Sequence, residues 1–176
     1  MFYLMGLGNP GEEYKESRHN TGRMAVDYLK SKILNLKSIK VIESGEFMNN
    51  SGRAVAKVIK TKKQAENLIV AHDDIDLPLG ALKISFNKGT GGHKGLDSVV
   101  KAVKTKEFVR VRIGIAPTTP SGKIKKPQGE DKVLDFILKS FKPAEITVLK
   151  KVFRRSSEAI ETIVTSGHEM AMNKFN

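Results

Sequence analysis

The 176-residue sequence lacks cysteine and tryptophan altogether. Without cysteine the chain has neither a disulfide framework nor a thiolate that could bind a metal or attack a substrate. Aromatic residues make up only 6% of the chain, which argues against a platform of stacked bases for single-stranded nucleic acid. No apolar run approaches the roughly 18 residues that cross a membrane. The N-terminus also lacks the pattern of a secretion signal, so we expect a cytoplasmic protein with no membrane contact.

Positive charge is what the chain has in excess. Lysine and arginine total 31 residues against 19 aspartates and glutamates, which gives a formal net charge of +12. Such a surplus favours a polyanionic partner such as nucleic acid, bound through its phosphates. A lysine-rich composition of the host organism would produce the same surplus, so charge alone leaves both explanations open.

Apolar residues alternate along the chain between strand-like runs and helical spacing. This order predicts an α/β fold in one domain over residues 1–176, a mixed, mostly parallel sheet flanked by helices. The predicted strands are residues 2–5, 39–43, 67–71, 81–86 and 108–115. The predicted helices are residues 22–34, 51–61, 95–104 and 143–165. Asn20 or Thr21 is expected to cap the first helix.

Two stretches are predicted to be loops. Residues 87–92 are rich in glycine, and residues 117–127 are rich in proline and basic. The second stretch fits a mobile lid or an RNA-contacting loop as well as a solvated surface loop, and the sequence leaves these alternatives open.

The first strand ends in a glycine-rich turn whose spacing, Gly6-x-Gly8-x-x-Gly11, matches the dinucleotide-binding fingerprint. Two glutamates follow the turn directly and would repel a pyrophosphate, and the acidic residue at a suitable distance, Asp27, lies in a helical pattern. A nucleotide site is therefore disfavoured. The turn is followed instead by His19 among polar neighbours, which makes this histidine a candidate for chemistry at the edge of the sheet.

Acidic residues follow the strand predicted at residues 67–71. His72, Asp73, Asp74 and Asp76 come directly after it, at the expected carboxyl end of the sheet. One of these acids can orient a histidine base such as His19. The same residues include metal ligands, but neighbours on an extended segment alternate faces and do not converge, so we expect no metal.

The segment between the second strand and the second helix has two interpretations. Asn50 or Ser51 can cap the helix, or Asn49 can serve as a neutral hydrogen-bonding group in a site. The chain has no Gly-x-Ser-x-Gly element and hence no nucleophile elbow. The simplest chemistry is therefore a histidine acting as general base on water.

Seven blocks in order along the chain resemble the bacterial peptidyl-tRNA hydrolase family. They are residues 6–11 (GLGNPG) with Tyr14, 18–22 (RHNTG), 47–52 (FMNNSG), 72–78 (HDDIDLP), 91–96 (GGHKGL), 110–115 (RVRIGI) and 133–138 (VLDFIL). Each block alone is a weak signal, but together they are specific and extend over most of the chain.

The resemblance implies a peptidyl-tRNA hydrolase-like fold and hydrolysis of the ester that joins a peptide to the 3′-terminal ribose of tRNA. By analogy, His19 is the general base, and Asp73 orients it and raises its basicity. Asn9 and Asn49 position the water and the peptide carbonyl. An activated ester needs only a positioned water, a base and a hydrogen-bond donor, so no cofactor is expected. The expected partner is peptidyl-tRNA and the expected state is a monomer.

The resemblance also implies binding roles for other residues. Contacts to the substrate are expected from Tyr14, Met48, Asn49, Asn50, Gly92, His93 and Lys94. Contacts to tRNA phosphate are expected from Lys83, Lys88, Arg110 and Arg112.

Three departures from the family pattern keep an alternative open. Lys94 replaces a usual asparagine, and Ser85 stands where a phosphate-binding lysine is common. The stretch from His19 to Asn49 is shorter than usual, as if a strand pair were trimmed after the first helix. Lys94 can pair with Asp73 or extend its ammonium outward toward phosphate. The alternative function is a non-catalytic RNA-binding relative of the family.

Overall fold

The computed structural model describes residues 1–32 and 37–176, and its centre is a five-stranded sheet. The strands are β1 (Phe2–Gly6), β2 (Ile39–Val41), β3 (Leu68–Pro78), β4 (Leu82–Phe86) and β5 (Val109–Ala116). Their spatial order is β2-β1-β3-β5-β4. Strands β2, β1, β3 and β5 run parallel, and β4 pairs antiparallel with β5 at the edge. The predicted mixed, mostly parallel sheet flanked by helices is confirmed.

Helices cover both faces of the sheet. The described α-helices are α1 (Thr21–Lys32), α2 (Ser51–Val58), α3 (Lys62–Glu66), α4 (Lys94–Val103), α5 (Glu130–Leu138), α6 (Pro143–Ser166) and α7 (His168–Phe175). One face packs against α1, α6 and α7 through an apolar cluster that includes Leu4 and Phe153. The other face packs against α2 and α4 through a second cluster that includes Val70 and Leu96.

Strand β5 places two arginines on the side of the sheet that faces α4. Val109, Val111 and Ile113 all belong to the apolar cluster on the α1 and α6 side. Side chains alternate along a strand, so Arg110 and Arg112 point to the opposite face. The α4 side of the sheet is therefore apolar at its centre and positively charged near β5.

The start of α1 lies directly on the sheet because two glycines leave room for it. A Cβ atom on Gly6 would overlap the backbone of Gly22, and one on Gly22 would overlap the carbonyl of Ala71. The first glycine of the fingerprint-like motif thus has a packing role. This close approach brings the 3₁₀ turn Arg18–Asn20, which carries His19, over the ends of β1 and β3.

The predicted ends of two elements are wrong. Strand β3 continues to Pro78 instead of ending at residue 71, because β5 pairs with it as far as Asp74 and again at Pro78. The second helix ends at Val58, and a separate helix, α3, follows it. Thr61 and Gln64 form a reciprocal capping box that starts α3 anew. The predicted end of the first helix, at residue 34, lies outside the described residues.

The predicted helix caps are also wrong, since each side chain is used elsewhere. The amide of Asn20 makes two hydrogen bonds to the backbone of Asn9. The hydroxyl of Thr21 donates to the carbonyl of Arg18, and that of Ser51 donates to the carbonyl of Met48. The side chain of Asn50 makes no capping hydrogen bond to α2.

The segment between α1 and Met48 is short. The described part of it contains a single strand, β2, of three residues. A 3₁₀ turn, Met48–Asn50, then leads into α2. Over residues 1–32 and 37–176, no helix combines the length and the hydropathy that a membrane crossing requires.

Candidate active site

His19 and Asp73 form a buried hydrogen-bonded pair at the carboxyl end of the sheet. Asp73 belongs to the part of β3 that extends past Ala71. Nδ1 of His19 lies 3.0 Å from Oδ2 and 3.1 Å from Oδ1 of Asp73. A carboxylate only accepts hydrogen bonds, so Nδ1 carries the proton. Nε2 of His19 is thereby left as an acceptor that can take a proton from water.

Arg18 anchors the turn that carries His19. Its Nη1 donates to the carbonyls of Lys139 and Ser140, and its Nη2 lies 3.0 Å from a carboxylate oxygen of Glu145. The guanidinium also stacks over the Phe136 ring at 4.6 Å from its centre. The position of the histidine is therefore set by contacts to α5 and to the start of α6.

A second anchor joins this turn to the glycine-rich turn after β1. The side chain of Asn20 binds both the N–H and the carbonyl of Asn9, at 2.8 and 2.9 Å. Asn9 in turn accepts the N–H of Met48 with its Oδ1, at 2.8 Å. These bonds place the amide of Asn9 between the His19 turn and the Met48–Asn50 turn.

His93 is the second imidazole bound to Asp73. Its Nε2 lies 2.9 Å from Oδ1 of Asp73, and its Nδ1 accepts the N–H groups of Gly95 and Leu96 at the start of α4. The resemblance implies a substrate contact for His93, but both of its ring nitrogens are used within the protein. The ring also packs on that of His19, with the centroids 4.8 Å apart.

Burial and charge act in opposite directions on this cluster. Burial raises the pKa of Asp73, but His19 and His93 outweigh it and hold that pKa well below its usual range. Burial lowers the pKa of His19, but the adjacent carboxylate of Asp73 outweighs it, so the net pKa of His19 is raised. Burial lowers the pKa of the neighbouring His72 to about 3, and His72 is therefore neutral at physiological pH.

A cleft of about 630 Å³ opens from His19. Asp73 and His93 line its base beside His19, and the loop from Lys88 to Gly92 lines one wall. The opposite wall is α5, whose Val133, Leu134 and Ile137 face the cleft. Sequence analysis did not predict α5, none of whose residues is fully buried: Phe136 and Ile137 pack at the edge of the core, and Val133 and Leu134 line the cleft.

Two arginines form a basic end of the cleft. Arg112 donates from Nε to Asp74 at 2.7 Å and from Nη1 to Ser85 at 3.4 Å. Arg110 is only 1% exposed, and its three side-chain nitrogens have no hydrogen-bond partner among the described residues. Its guanidinium stacks over the Phe108 ring at 4.5 Å from the centre. Burial and the charge of Arg112 lower the pKa of Arg110 to about 10, so it remains a cation at neutral pH.

Of the two lysines predicted near these arginines, one lies in the cleft. Lys88 lines the cleft together with Arg110 and Arg112. Lys83 lies opposite Arg112 in the β4–β5 ladder and is exposed, but it does not line the cleft. The loop at residues 117–127 is joined to the end of β3 by an ion pair between Lys126 and Asp76.

The residues expected to bind the substrate fall into two groups. Gly92 and Lys94 line the His19 cleft. The second group does not line this cleft. It consists of the residues of the Met48–Asn50 turn, namely Met48, Asn49 and Asn50, and of Tyr14 beside that turn. Asn49 is exposed there, and Tyr14 packs edge-to-face on Phe47 with centroids 6.3 Å apart. Asn9 links this group to the His19 turn.

Lys94 extends away from the His19–Asp73 pair. Its Nζ lies 3.8 Å from Oε1 of Glu130, across the mouth of the cleft at the start of α5. The side chain of Lys94 is 69% exposed. Of the two positions open to this lysine, the structure thus favours the outward one over an ion pair with Asp73.

Of the metal ligands considered in the sequence, only Asp73 belongs to the group of potential ligand atoms that lie close together in the described residues. His19, Asp73 and His93 offer ligand atoms that lie within 4.8 Å of one another. Nδ1 of His19 and Nε2 of His93 already donate to the carboxylate of Asp73. A metal ion bound through these two nitrogens would have to replace both of those protons.

The fold and the site together define a class. A histidine that is held by a buried carboxylate and lines a cleft at the carboxyl edge of a mostly parallel sheet has the geometry that general-base hydrolysis requires.

Comparison with known proteins gives the family. A family model described as Peptidyl-tRNA hydrolase matches residues 3–176. The peptidyl-tRNA hydrolase of Thermodesulfovibrio yellowstonii is 36% identical over 195 residues, covering 100% of this chain and 99% of that protein. That of Fervidobacterium nodosum is 38% identical over 185 residues, with 98% and 94% covered. The crystal structure of peptidyl-tRNA hydrolase from Acinetobacter baumannii superposes with a TM-score of 0.82 at 25% identity, covering 100% and 94%. The chain belongs to the peptidyl-tRNA hydrolase family.

Proposed function

We propose that this protein hydrolyses the ester between a peptide and the 3′-terminal ribose of tRNA, with His19 as the general base. The observation that carries the proposal is the His19–Asp73 pair, which leaves an unprotonated ring nitrogen at a cleft of about 630 Å³. Membership of the family supports the substrate class, because full-length relatives bear the name of this activity.

The reaction follows from the protonation state of His19. Its Nε2 takes a proton from a water molecule while the water oxygen bonds to the ester carbonyl carbon. The bond between that carbon and the ribose 3′ oxygen then breaks, and this oxygen receives the proton from the imidazolium. The products are free tRNA and the peptide's carboxylic acid, which releases its proton to solvent and leaves as the carboxylate. Asp73 holds Nδ1–H and stabilises the imidazolium in between.

Asn9 and Asn49 are proposed to position the attacking water and the peptide carbonyl. Oδ1 of Asn9 is occupied by the Met48 N–H, which orients its Nδ2 as a donor. A donor at the carbonyl stabilises the developing oxyanion. Amide groups that read the peptide bond would also separate peptidyl-tRNA from aminoacyl-tRNA, which lacks that bond. Further substrate contacts are proposed for Tyr14, Met48, Asn50, Gly92 and Lys94, but not for His93, whose two ring nitrogens are bound within the protein.

The basic end of the cleft is proposed to bind tRNA phosphate. Arg110 supports this assignment, since a buried guanidinium without hydrogen-bond partners among the described residues is suited to an anion. Arg112 and Lys88 add positive charge beside it, and Lys83 continues it on the exposed edge of the sheet. The net charge of +12 suits the same polyanion.

Two broader expectations belong to this proposal. Peptidyl-tRNA arises during translation, so the enzyme is expected to act in the cytoplasm. We also expect a monomer, as the resemblance to the family implies.

The proposal is tested by release of tRNA from an N-blocked aminoacyl-tRNA. The parent protein should cleave the blocked ester and spare the unblocked one. His19→Ala should lose turnover by at least about 10²-fold, because the general base is gone, and should keep tRNA binding. His168→Ala is the matched control, since His168 starts α7 and does not line the cleft.

The alternative of a non-catalytic RNA-binding relative gives a different result in the same assay. It is motivated by Lys94, which stands where the family usually has asparagine. A folded parent protein that binds tRNA but releases none from the blocked ester would overturn the hydrolase proposal.

A further inference from the structure

The segment that leads into α4 delivers a second imidazole to Asp73. His93 immediately precedes α4, and its Nε2 lies 2.9 Å from Oδ1 of Asp73. The two side chains are 9% and 4% exposed, so this contact is shielded from water. The closest carboxylate oxygen to His19 is Oδ2, at 3.0 Å. Each imidazole therefore has a different oxygen of Asp73 as its nearest partner.

The start of α4 fixes the tautomer of His93. Its Nδ1 accepts the N–H of Gly95 at 3.2 Å and that of Leu96 at 3.4 Å. A ring nitrogen that accepts carries no proton, so in the neutral ring the hydrogen lies on Nε2. His93 thus donates to Asp73 with the nitrogen that points away from the helix. Asp73 receives two N–H groups, one from His93 and one from His19.

We propose that His93 is a positioning residue for the reaction: its Nε2–H fixes the carboxylate of Asp73 and limits the basicity that Asp73 confers on His19. This inference rests on the proposed function, in which His19 is the base. A carboxylate oxygen that accepts a hydrogen bond from His93 is a weaker partner for His19. A donor on that oxygen also holds the plane of the carboxylate, and with it the direction of the Nδ1–H bond of His19.

The groups nearest this cluster are engaged elsewhere. His72 packs its ring 5.1 Å from the ring of His93 and stays neutral, since burial lowers its pKa to about 3. The hydrogen bond of its Nδ1 is to the backbone carbonyl of Asp73, not to the carboxylate. Arg112 is paired with Asp74 at 2.7 Å.

The remaining charges around the cleft lie further out or are directed to other partners. Lys94 is 69% exposed and faces Glu130, on α5. Lys88 is exposed on the glycine-rich loop, and Arg110 lies at the basic end of the cleft. Within the described part of the chain, the hydrogen bonds to the Asp73 carboxylate come from the two imidazoles.

Two substitutions separate the positioning role from simple helix capping. In His93→Asn, the amide oxygen replaces Nδ1 and keeps the cap on α4, but the side chain is too short to reach Asp73. In His93→Gln, the amide nitrogen replaces Nε2 and keeps a donor to Asp73, while the cap is lost. The measurements are kcat/KM against pH on the blocked ester, thermal unfolding, and titration of the His19 ring by nitrogen-detected NMR.

We expect the two variants to differ in their pH profiles. His93→Asn should lower kcat/KM by about tenfold at neutral pH and move its ascending limb to higher pH, and it should also lower Tm, because the buried carboxylate of Asp73 loses a hydrogen bond. The sign follows because Asp73, released from His93, interacts more strongly with His19 and favours the protonated base. His93→Gln should lower Tm by a few degrees and leave both the ascending limb and the His19 titration near those of the parent.

The reverse pattern overturns the proposal. If His93→Asn behaves as the parent and His93→Gln loses both stability and activity, His93 serves only as a helix cap. An unchanged His19 titration in a folded His93→Asn variant overturns it as well. The NMR titration needs no turnover, so it tests the effect of His93 on His19 even in a protein that does not cleave peptidyl-tRNA. A lack of cleavage would contradict the proposed function, but it would leave the proposed role of His93 to be decided by the titration.

Discussion

Arg18 and Glu145 form an ion pair, 3.0 Å between Nη2 and the carboxylate, that ties the turn carrying His19 to the first turn of α6. The two side chains are only 8% and 25% exposed. Glu145 also accepts the backbone N–H of Lys142 and so helps to start α6. A single carboxylate thus fixes both the start of the helix and the arginine next to His19, the proposed general base.

We expect Arg18→Met to lower the free energy of unfolding by about 3 kcal/mol, because it leaves the partly buried Glu145 without its partner. Turnover should fall as well, since the His19 turn loses its anchor. Chemical denaturation and the blocked-ester assay measure the two effects. Arg154→Met is the control, since its pair with Glu158 is exposed on α6 and should contribute little. Equal stability losses in both variants would contradict the assignment.

His72 should make the protein sensitive to acid. In the folded state burial lowers its pKa to about 3, whereas the unfolded value is near 6.5. Below pH 6.5 the unfolded chain therefore binds a proton at His72 that the folded protein does not bind. The free energy of unfolding falls for this reason as the pH is lowered from 6.5 to 3. His72→Asn does not titrate, and its amide can still donate to the carbonyl of Asp73.

We expect His72→Asn to lose about 3 kcal/mol less stability than the parent when the pH falls from 7.5 to 4.5. Urea denaturation at both pH values measures how much free energy of unfolding each protein loses on acidification. Because the two losses are compared, any effect of the substitution that does not depend on pH cancels. If the parent and the variant lose the same stability on acidification, then the folded protein admits a proton at His72 and the prediction is wrong.

The sequence predicted the sheet, its mostly parallel order and the His19–Asp73 pair, because these depend on strong local patterns and on the family motifs. It missed the continuation of β3 to Pro78, since the polar residues after Ala71 read as a loop, whereas pairing with β5 holds them in the strand. It also missed α5, whose apolar residues are divided between the edge of the core and the cleft. The bond from His93 to Asp73 joins residues 20 positions apart and has no local signal.

Asp73 should control both the tautomer and the basicity of His19. In Asp73→Asn, the amide nitrogen can donate to Nδ1 and drive the proton to Nε2, the nitrogen that must accept from water. We expect kcat to fall by about 10²- to 10⁴-fold for this reason. Without the carboxylate, burial alone acts on His19, so its pKa should drop and the residual ascending limb of kcat/KM should move to lower pH.

The control for this variant is Asp76→Asn, an acid on the same strand that is exposed and pairs with Lys126. It should leave the pH profile in place. The profile of kcat/KM against pH, measured for both variants, shows whether Asp73 sets the basicity of His19. A limb that stays fixed or moves to higher pH in Asp73→Asn would show that Asp73 does not set the basicity of His19.

The basic end of the cleft should make tRNA binding strongly dependent on salt. Each phosphate contact releases condensed cations, so the logarithm of the binding constant falls linearly with the logarithm of the salt concentration.

We expect Lys88→Ala, which removes an exposed charge next to Arg110 and Arg112, to weaken tRNA binding and to reduce this slope by about one. Lys150→Ala, on the exposed side of α6, should leave the slope unchanged. Titration with uncharged tRNA, which has no peptide ester to cleave, measures the slopes of the parent and of both variants at several salt concentrations. If the Lys88→Ala and Lys150→Ala proteins have equal slopes, Lys88 does not bind phosphate. If the slope of the parent protein is near zero, the basic end of the cleft does not bind tRNA phosphate at all.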